Sequence, residues 1–332
     1  YGGLREEVAS NDLDALRAQA GRWASWLSAA QDSAWPSVVH TAAFHRTHFE
    51  SRAIVGVNEP AAAVVALRAL AEGRPHREIR VVRAEERGRL VFVFPGQGSQ
   101  WPQMGRALLA ESPAFAEAID ACARALHPFI EWSLRDVLSG AADSVDLERV
   151  DVVQPAIFAM AIGLAAVWRA LGVTPGAVVG HSQGEIPAAV VAGVLTLEEG
   201  ARIVAVRSQL LGKLPGRGGM GVVGLPLAEV VARISRDGSA LSVAVVNNQG
   251  STVVAGEAEE LERFLGRLDA EGVFARRVSV DYASHSAEVD PVLPPLREAL
   301  SGLRPQVGEV PFYSTVSGAL QSGEALTAEY WG

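Results

Sequence analysis

One cysteine, Cys122, occurs in 332 residues. A lone thiol cannot close an internal disulfide, and such scarcity fits a reducing, cytoplasmic compartment. The seven histidines, at positions 40, 45, 48, 76, 127, 181 and 285, form no HExxH pattern and have no thiolate cluster beside them. No metal site is expected from them. Positive charge is in deficit, with 29 Lys and Arg against 38 Asp and Glu for a net charge of -9. An acidic surface does not attract nucleic acid or an anionic membrane, so neither is expected as a partner. No apolar run is expected to reach the length of a membrane span, and Tyr1-Gly2-Gly3-Leu4-Arg5-Glu6-Glu7 is not a signal peptide. An initiating methionine is lacking as well, and the chain reads as a piece of a longer polypeptide.

What is present is apolar mass: 49% hydrophobic residues and only 20% charged ones, enough for a large core and for two or three structural units. The most informative stretch is Gly176-Ala177-Val178-Val179-Gly180-His181-Ser182-Gln183-Gly184-Glu185. Small β-branched residues running into Gly-His-Ser-Gln-Gly predict a short buried strand, a tight turn carrying Ser182, and a helix starting near Glu185. Gly180 and Gly184 lack Cβ atoms, so strand and helix can pack closely around a strained turn whose tip presents the hydroxyl. The amide of Gln183 then opens the helix where an oxyanion would form, and the helix dipole adds to it.

Residues 1 to about 88 read as a separate small α+β unit, with a helix over Leu13 to Leu27, a strand over Ser51 to Val57, a helix from Pro60 to about Leu70, and a strand over Ile79 to Val82. Leu90 to Phe94 reads as a strand buried on both faces of a parallel sheet. Pro95-Gly96-Gln97-Gly98-Ser99-Gln100-Trp101 follows, but Trp101 stands at the third glycine position of a dinucleotide fingerprint, so no such cofactor is expected. Gln97, flanked by glycines, serves better as an amide donor. Helices are expected over Pro102 to Leu109, Pro113 to Leu126 and Gln154 to Leu171. Strand, helices, strand, turn and helix in that order predict a doubly wound α/β layer with its site at the carboxyl ends of the strands.

Thr196-Leu197-Glu198-Glu199 is a capping box, and on the helix it opens Arg207 lies three or four residues from Ile203, Leu210 and Leu211. A guanidinium beside an apolar face needs a negative partner: an internal carboxylate, or a substrate carboxylate gripped bidentately. From about Gly216 the pattern becomes βαββαβ, the ferredoxin-like order, with strands over Gly221 to Leu225, Leu241 to Asn247, Ser251 to Gly256 and Phe274 to Val280. Directly after it comes Asp281-Tyr282-Ala283-Ser284-His285, where His285 is the natural base for Ser182.

Phe94-Pro95-Gly96-Gln97-Gly98-Ser99-Gln100, Gly180-His181-Ser182-Gln183-Gly184-Glu185, the arginine of Val206-Arg207-Ser208-Gln209-Leu210-Leu211, and Tyr282-Ala283-Ser284-His285 together resemble the acyltransferase domains of modular type I polyketide synthases, relatives of the malonyl-CoA:acyl carrier protein transacylases. The resemblance spans essentially the whole chain. It implies an α/β-hydrolase-like large subdomain (89–215 and 282–332), a ferredoxin-like small subdomain (216–281) and a linker domain to a ketosynthase (1–88). It also implies a Ser182-His285 dyad without a third carboxylate, an oxyanion hole from Gln97 and Gln183, and substrate contacts from Arg207, Tyr282, Ser284, His181 and Gln154. The activity implied is ping-pong transfer from acyl-CoA to the phosphopantetheine thiol of an acyl carrier protein, with no cofactor bound by the domain itself. Arg149-Val150-Asp151-Val152-Val153-Gln154, Gln183, and Tyr282-Ala283-Ser284 resemble the methylmalonyl-CoA-selecting branch, since a serine where malonyl-selecting relatives have phenylalanine leaves space for the α-methyl. In the family, the carbonyl that orients the histidine is supplied by an Asn-Leu-Arg segment beyond the position of Gly332. Two other readings share the serine turn: a serine hydrolase or editing thioesterase using Asp269 or Asp281, and a docking domain in which Ser182 is vestigial.

Overall fold

The computed structural model describes residues 5–10, 12–29, 35–84, 88–214, 218–278, 283 and 286–332. The chain divides into two compact units, Tyr1–Gly88 and Arg89–Gly332. The first contains β1 (Arg5–Ser10), α1 (Leu13–Ala29), α2 (Trp35–Phe44), β2 (Ser51–Gly56), α3 (Pro60–Ala71) and β3 (Ile79–Arg83). Its strands form an antiparallel sheet in the order β1-β2-β3, with Val55 opposite both Glu6 and Ile79. Alternation in β2 turns Ala53 and Val55 into a core shared with Leu16 of α1 and Leu67 of α3. The sequence pattern missed β1 and α2; the structure places His40 on α2 and His45 just beyond its end.

The second unit begins with β4 (Val91–Phe94), α4 (Arg106–Glu111), α5 (Pro113–Leu126), α6 (Leu134–Ser139), α7 (Val150–Ala170) and β5 (Ala177–Gly180). A single 3-10 turn, Ser182–Gly184, joins β5 to α8 (Glu185–Val191), and α9 (Leu197–Leu211) follows. The chain then forms β6 (Gly218–Val223), α10 (Leu227–Arg236), β7 (Ser242–Asn248), β8 (Ser251–Glu257), α11 (Ala258–Ala270) and β9 (Ala275–Arg277). It closes with α12 (Leu293–Leu300), β10 (Phe312–Ser314), β11 (Ala319–Gln321) and α13 (Ala328–Trp331).

Two sheets organise this unit. In the first, ordered β11-β10-β5-β4, the last three strands are parallel, and α8 packs on them. The row Phe92, Val178 and Phe312 faces the core, while the next row, Val93, Val179, Tyr313 and Leu320, lies on the opposite face. Val93 is 69% exposed, and Tyr313 and Leu320 are exposed too. The expectation of a strand buried on both faces therefore fails for β4, which is an edge strand with one open face among the described residues. The second sheet is fully antiparallel in the order β7-β8-β6-β9, with the element order βαββαβ and a core built on Val254, Leu261 and Phe264. Its first strand starts at Gly218, three residues before the expected Gly221, and β9 is described only to Arg277.

Two helices depart from expectation for local reasons. Residues 102–105 form turns and α4 starts only at Arg106, because Gln103 takes a left-handed conformation (φ 68°) that a helix cannot continue. Helix α7 starts four residues before the expected Gln154 and runs through Pro155. Burial of Val152, Val153 and Ala156 offsets the backbone bond that Pro155 cannot make. At 21 residues α7 is also long and apolar enough to cross a membrane, contrary to expectation, but 67% of its most apolar stretch is buried in the molecule. It is a core helix: Gly163 lets it approach the ring of Phe115 on α5 closely. Cys122, on α5, is fully buried, and burial pushes its thiol up to about 12, so it is held as an inert apolar group.

Candidate active site

Ser182 has φ of 52°, one of two positive values at non-glycine residues among those described. A left-handed serine costs of order 1 kcal/mol and persists only where its surroundings fix it. The glycines on either side supply that constraint. A Cβ on Gly180 would collide with the Gly184 carbonyl and the Glu185 amide, and one on Gly184 with the carbonyls of Phe94 and Pro95. The turn is held further by Gly184 N–H donating to His181 O (2.9 Å) and His181 N–H donating to Phe94 O (2.9 Å). The predicted serine elbow is thus present, and its strain is carried by the backbone.

Pairing of β4 with β5 sets Phe94 opposite Gly180, so the loop after β4 lies beside the elbow. An added Cβ on Gly96 would sit 3.0 Å from His181 O, 3.1 Å from its Nδ1 and 3.6 Å from Ser182 Cβ. Gln97 therefore follows a residue in contact with the serine turn. From Gln97 a hydrogen-bonded chain leads away: Gln154 Nε2 donates to Gln97 Oε1 (3.4 Å), and Arg207 Nη1 donates to Gln154 Oε1 (2.8 Å). The capping box that positions α9 forms as expected, with Glu199 N–H donating to Thr196 Oγ1 and Thr196 N–H to Glu199 Oε2. Packing of α7 on α9 brings Gln154 and Arg207 together across 53 residues of sequence.

Gln183 is different. The residue is 6% exposed, and neither amide atom has a hydrogen-bond partner among the described residues. An orphaned buried amide costs about 1–3 kcal/mol. Glu185, two residues on and 3% exposed, is fully engaged. Its Oε1 accepts from Thr315 N–H (2.6 Å) and Thr315 Oγ1 (2.7 Å), and its Oε2 from Tyr330 Oη (2.5 Å). Thr315 Oγ1 also reaches the Gly180 carbonyl (3.1 Å). Ser314 Oγ accepts from the amides of Val316 and Ser317, and so donates to Tyr330 Oη (2.6 Å). Burial first, then the bond to Glu185, pushes the Tyr330 phenol well above its ordinary range. Sequence reasoning missed this network, since Thr315 and Tyr330 lie 130 and 145 residues from Glu185.

Tyr282, Ser284 and His285 lie outside the described residues, as does Asp281. Their neighbours are placed: Ala283 is buried with Met220, Val253 and Ala255 of the antiparallel sheet, and Ser286 Oγ donates to Ala283 O (2.7 Å). Asp269, the other acid a hydrolase would recruit, is exposed on α11.

A left-handed serine after a parallel strand, with a glycine loop packed against its turn, is a geometry that nucleophilic acyl transfer can use. Residues 91–332 match the family model described as the acyl transferase domain. The chain belongs to that family. This acyltransferase is 45% identical over 326 residues to erythronolide synthase EryA3 of Saccharopolyspora erythraea, covering 98% of this chain and 10% of that protein. It is 46% identical over 318 residues to the spectinabilin polyketide synthase system protein NorA' of Streptomyces orinoci, covering 96% of this chain and 9% of that protein. The acyltransferase thus spans only about a tenth of the length of these relatives. Among solved structures it is similar to the acyltransferase domain from module 8 of the salinomycin polyketide synthase, with 43% identity, a TM-score of 0.93, and coverage of 100% of this chain and 78% of that one.

Proposed function

We propose that this acyltransferase loads an extender unit, methylmalonyl, from coenzyme A onto the phosphopantetheine thiol of an acyl carrier protein within a polyketide synthase. The observation that carries the reading is the left-handed Ser182, seated against the Gly96-Gln97 loop whose side-chain hydrogen bonds run to Arg207. His285 takes the proton as Ser182 Oγ attacks the thioester carbonyl, and the backbone amides of Gln97 and Gln183 receive the oxyanion. One such donor contributes about 3 kcal/mol to the transition state. The C–S bond breaks, His285 returns the proton to the departing coenzyme A sulfur, and acyl-Ser182 remains. The carrier thiol then attacks the ester carbonyl, with His285 again as base, and Ser182 is regenerated.

Arg207 holds the free carboxylate of the extender, with His181 and Gln154 beside the acyl group. Ser284, where malonyl-selecting relatives have phenylalanine, leaves room for the α-methyl with Tyr282 also in contact with the substrate, a preference worth about 1–3 kcal/mol. Residues 1–88 serve as the linker to a neighbouring ketosynthase, and the assembly works in the cytoplasm. Intact-mass measurement after exposure to a competing mixture of malonyl-, methylmalonyl- and propionyl-CoA tests the reading. The expected product is one methylmalonyl group per chain, absent from Ser182→Ala. Acylation that survives Ser182→Ala, or propionyl as the dominant adduct, would sink it.

A further inference from the structure

The hydrogen-bond chain from Arg207 to Gln97 has a fixed direction. A guanidinium only donates, so the Gln154 atom 2.8 Å from Arg207 Nη1 is its oxygen. Gln154 Nε2 must then face the other way, where it donates to Gln97 Oε1 at 3.4 Å. That in turn sets the polarity of the Gln97 amide. The cation on α9 is therefore linked through Gln154 to a side chain in the loop whose preceding glycine touches the serine turn. Gln154 is 2% exposed, so no solvent stands by to satisfy an alternative arrangement.

The choice of an amide at this position is chemically specific. A neutral oxygen satisfies a guanidinium N–H without cancelling its charge, whereas a carboxylate there would form an internal ion pair and compete with a substrate carboxylate. An aliphatic residue of similar length would fill the space and cut the chain.

We propose that Gln154 is a positioning residue that couples the carboxylate clamp at Arg207 to the loop carrying Gln97. The inference rests on the proposed function, which assigns the substrate carboxylate to Arg207 and an oxyanion-binding amide to Gln97. A carboxylate docked on Arg207 fixes the guanidinium, Gln154 carries that orientation to Gln97, and the loop is set for the thioester carbonyl. Binding energy from a remote group is thereby expressed in the acylation step itself, and not only in substrate affinity. A monocarboxylic acyl group carries no carboxylate for the guanidinium and does not use the coupling.

Rapid-quench, single-turnover acylation of Ser182 by methylmalonyl-CoA and by propionyl-CoA reads the coupling as a ratio of saturating rates. Gln154→Met is expected to lower the methylmalonyl-to-propionyl ratio about tenfold, the scale on which lost alignment acts. Gln97→Met cuts the same bond from the far end and keeps the backbone amide, so it should lower the ratio likewise even if Gln154→Met fails to fold. Gln154→Glu should instead raise the concentration of methylmalonyl-CoA needed for half-saturation by about tenfold or more, through competition for Arg207. Unchanged ratios in both methionine variants, or equal losses on both substrates, would overturn the coupling while leaving the proposed function standing. A wild-type protein that takes up no acyl group on Ser182 would instead remove the function on which the inference rests.

Discussion

The two sides of the serine elbow are held by opposite kinds of polar chemistry. Behind it, Glu185 accepts three hydrogen bonds from Thr315 and Tyr330, which tie α8 to the end of β10 and to α13. In front, Gln97 and Gln154 meet through neutral amides that lead to Arg207, and the side-chain amide of Gln183 is buried with no hydrogen bond from the described residues. A buried carboxylate with both oxygens engaged is a lock, because removing a donor leaves charge less satisfied in a low dielectric. The Gln154 amide orients the cation through a neutral oxygen and adds no opposite charge of its own. The difference teaches that the rear is held by a buried charged network, whereas the described contacts between front and guanidinium are neutral.

The sharpest way to break the comparison is to remove the charge at the front. Under the proposed reaction Arg207→Ala should cost several kcal/mol in kcat/KM for methylmalonyl-CoA, a loss of two or more orders of magnitude, with a smaller effect on propionyl-CoA. Steady-state kinetics on both substrates measures this, and equal losses would show that the guanidinium does not meet the extender carboxylate.

At the rear the expected effect falls on stability. In Glu185→Gln the new NH2 cannot accept, so either the Tyr330 hydroxyl or the two donors of Thr315 lose their partner. Denaturant unfolding should show a loss of about 2–4 kcal/mol, the range for breaking a buried charged hydrogen-bond network. The methylmalonyl-to-propionyl ratio of the surviving folded fraction should stay put. A shifted ratio would mean that front and rear are coupled.

What the sequence discloses follows the same division. The elbow was legible because Gly180, Ser182 and Gly184 sit within five residues and their backbone demands are local. The capping box at Thr196 and the βαββαβ order were legible for the same reason, as short-range pattern. Arg207 could be placed beside an apolar face by helical spacing, but its partner Gln154 lies on another helix. Nothing near Glu185 announces Thr315 or Tyr330, since tertiary pairing across 130 residues leaves no local trace. The open face of β4 was equally hidden: Leu90-Val91-Phe92-Val93-Phe94 looks the same whether one face or both are covered, and Val93 is exposed together with Tyr313 and Leu320 because nothing among the described residues packs over that face.

Gln183 offers a gain in stability. Both amide atoms lack partners among the described residues, so an apolar residue of similar volume removes a desolvation cost without breaking a described bond. Gln183→Leu should stabilise the protein by about 1–2 kcal/mol in denaturant unfolding and leave the Ser182 backbone in place. A loss of stability would show that the amide is satisfied in solution by a water or a ligand, and would make the front of the elbow less open than its geometry suggests.

The mildest test uses pH. The Tyr330 phenol is pushed up, chiefly by burial and then by Glu185, so the folded state keeps this proton at a pH where an unfolded tyrosine, near about 10, gives it up. The contribution is therefore complete below the unfolded value and is lost progressively as pH rises past it toward the folded value, because over that window the folded state binds more protons than the unfolded one. Tyr330→Phe deletes the titrating group together with its bonds to Glu185 and Ser314, and should be less stable than wild type at pH 8. The gap between the two proteins should narrow as the pH is raised above about 10, since only the wild type has this contribution to lose. A gap that stays constant from neutral to alkaline pH would mean that the phenol titrates normally, and that the rear of the elbow is wetter than the bonds around Glu185 imply.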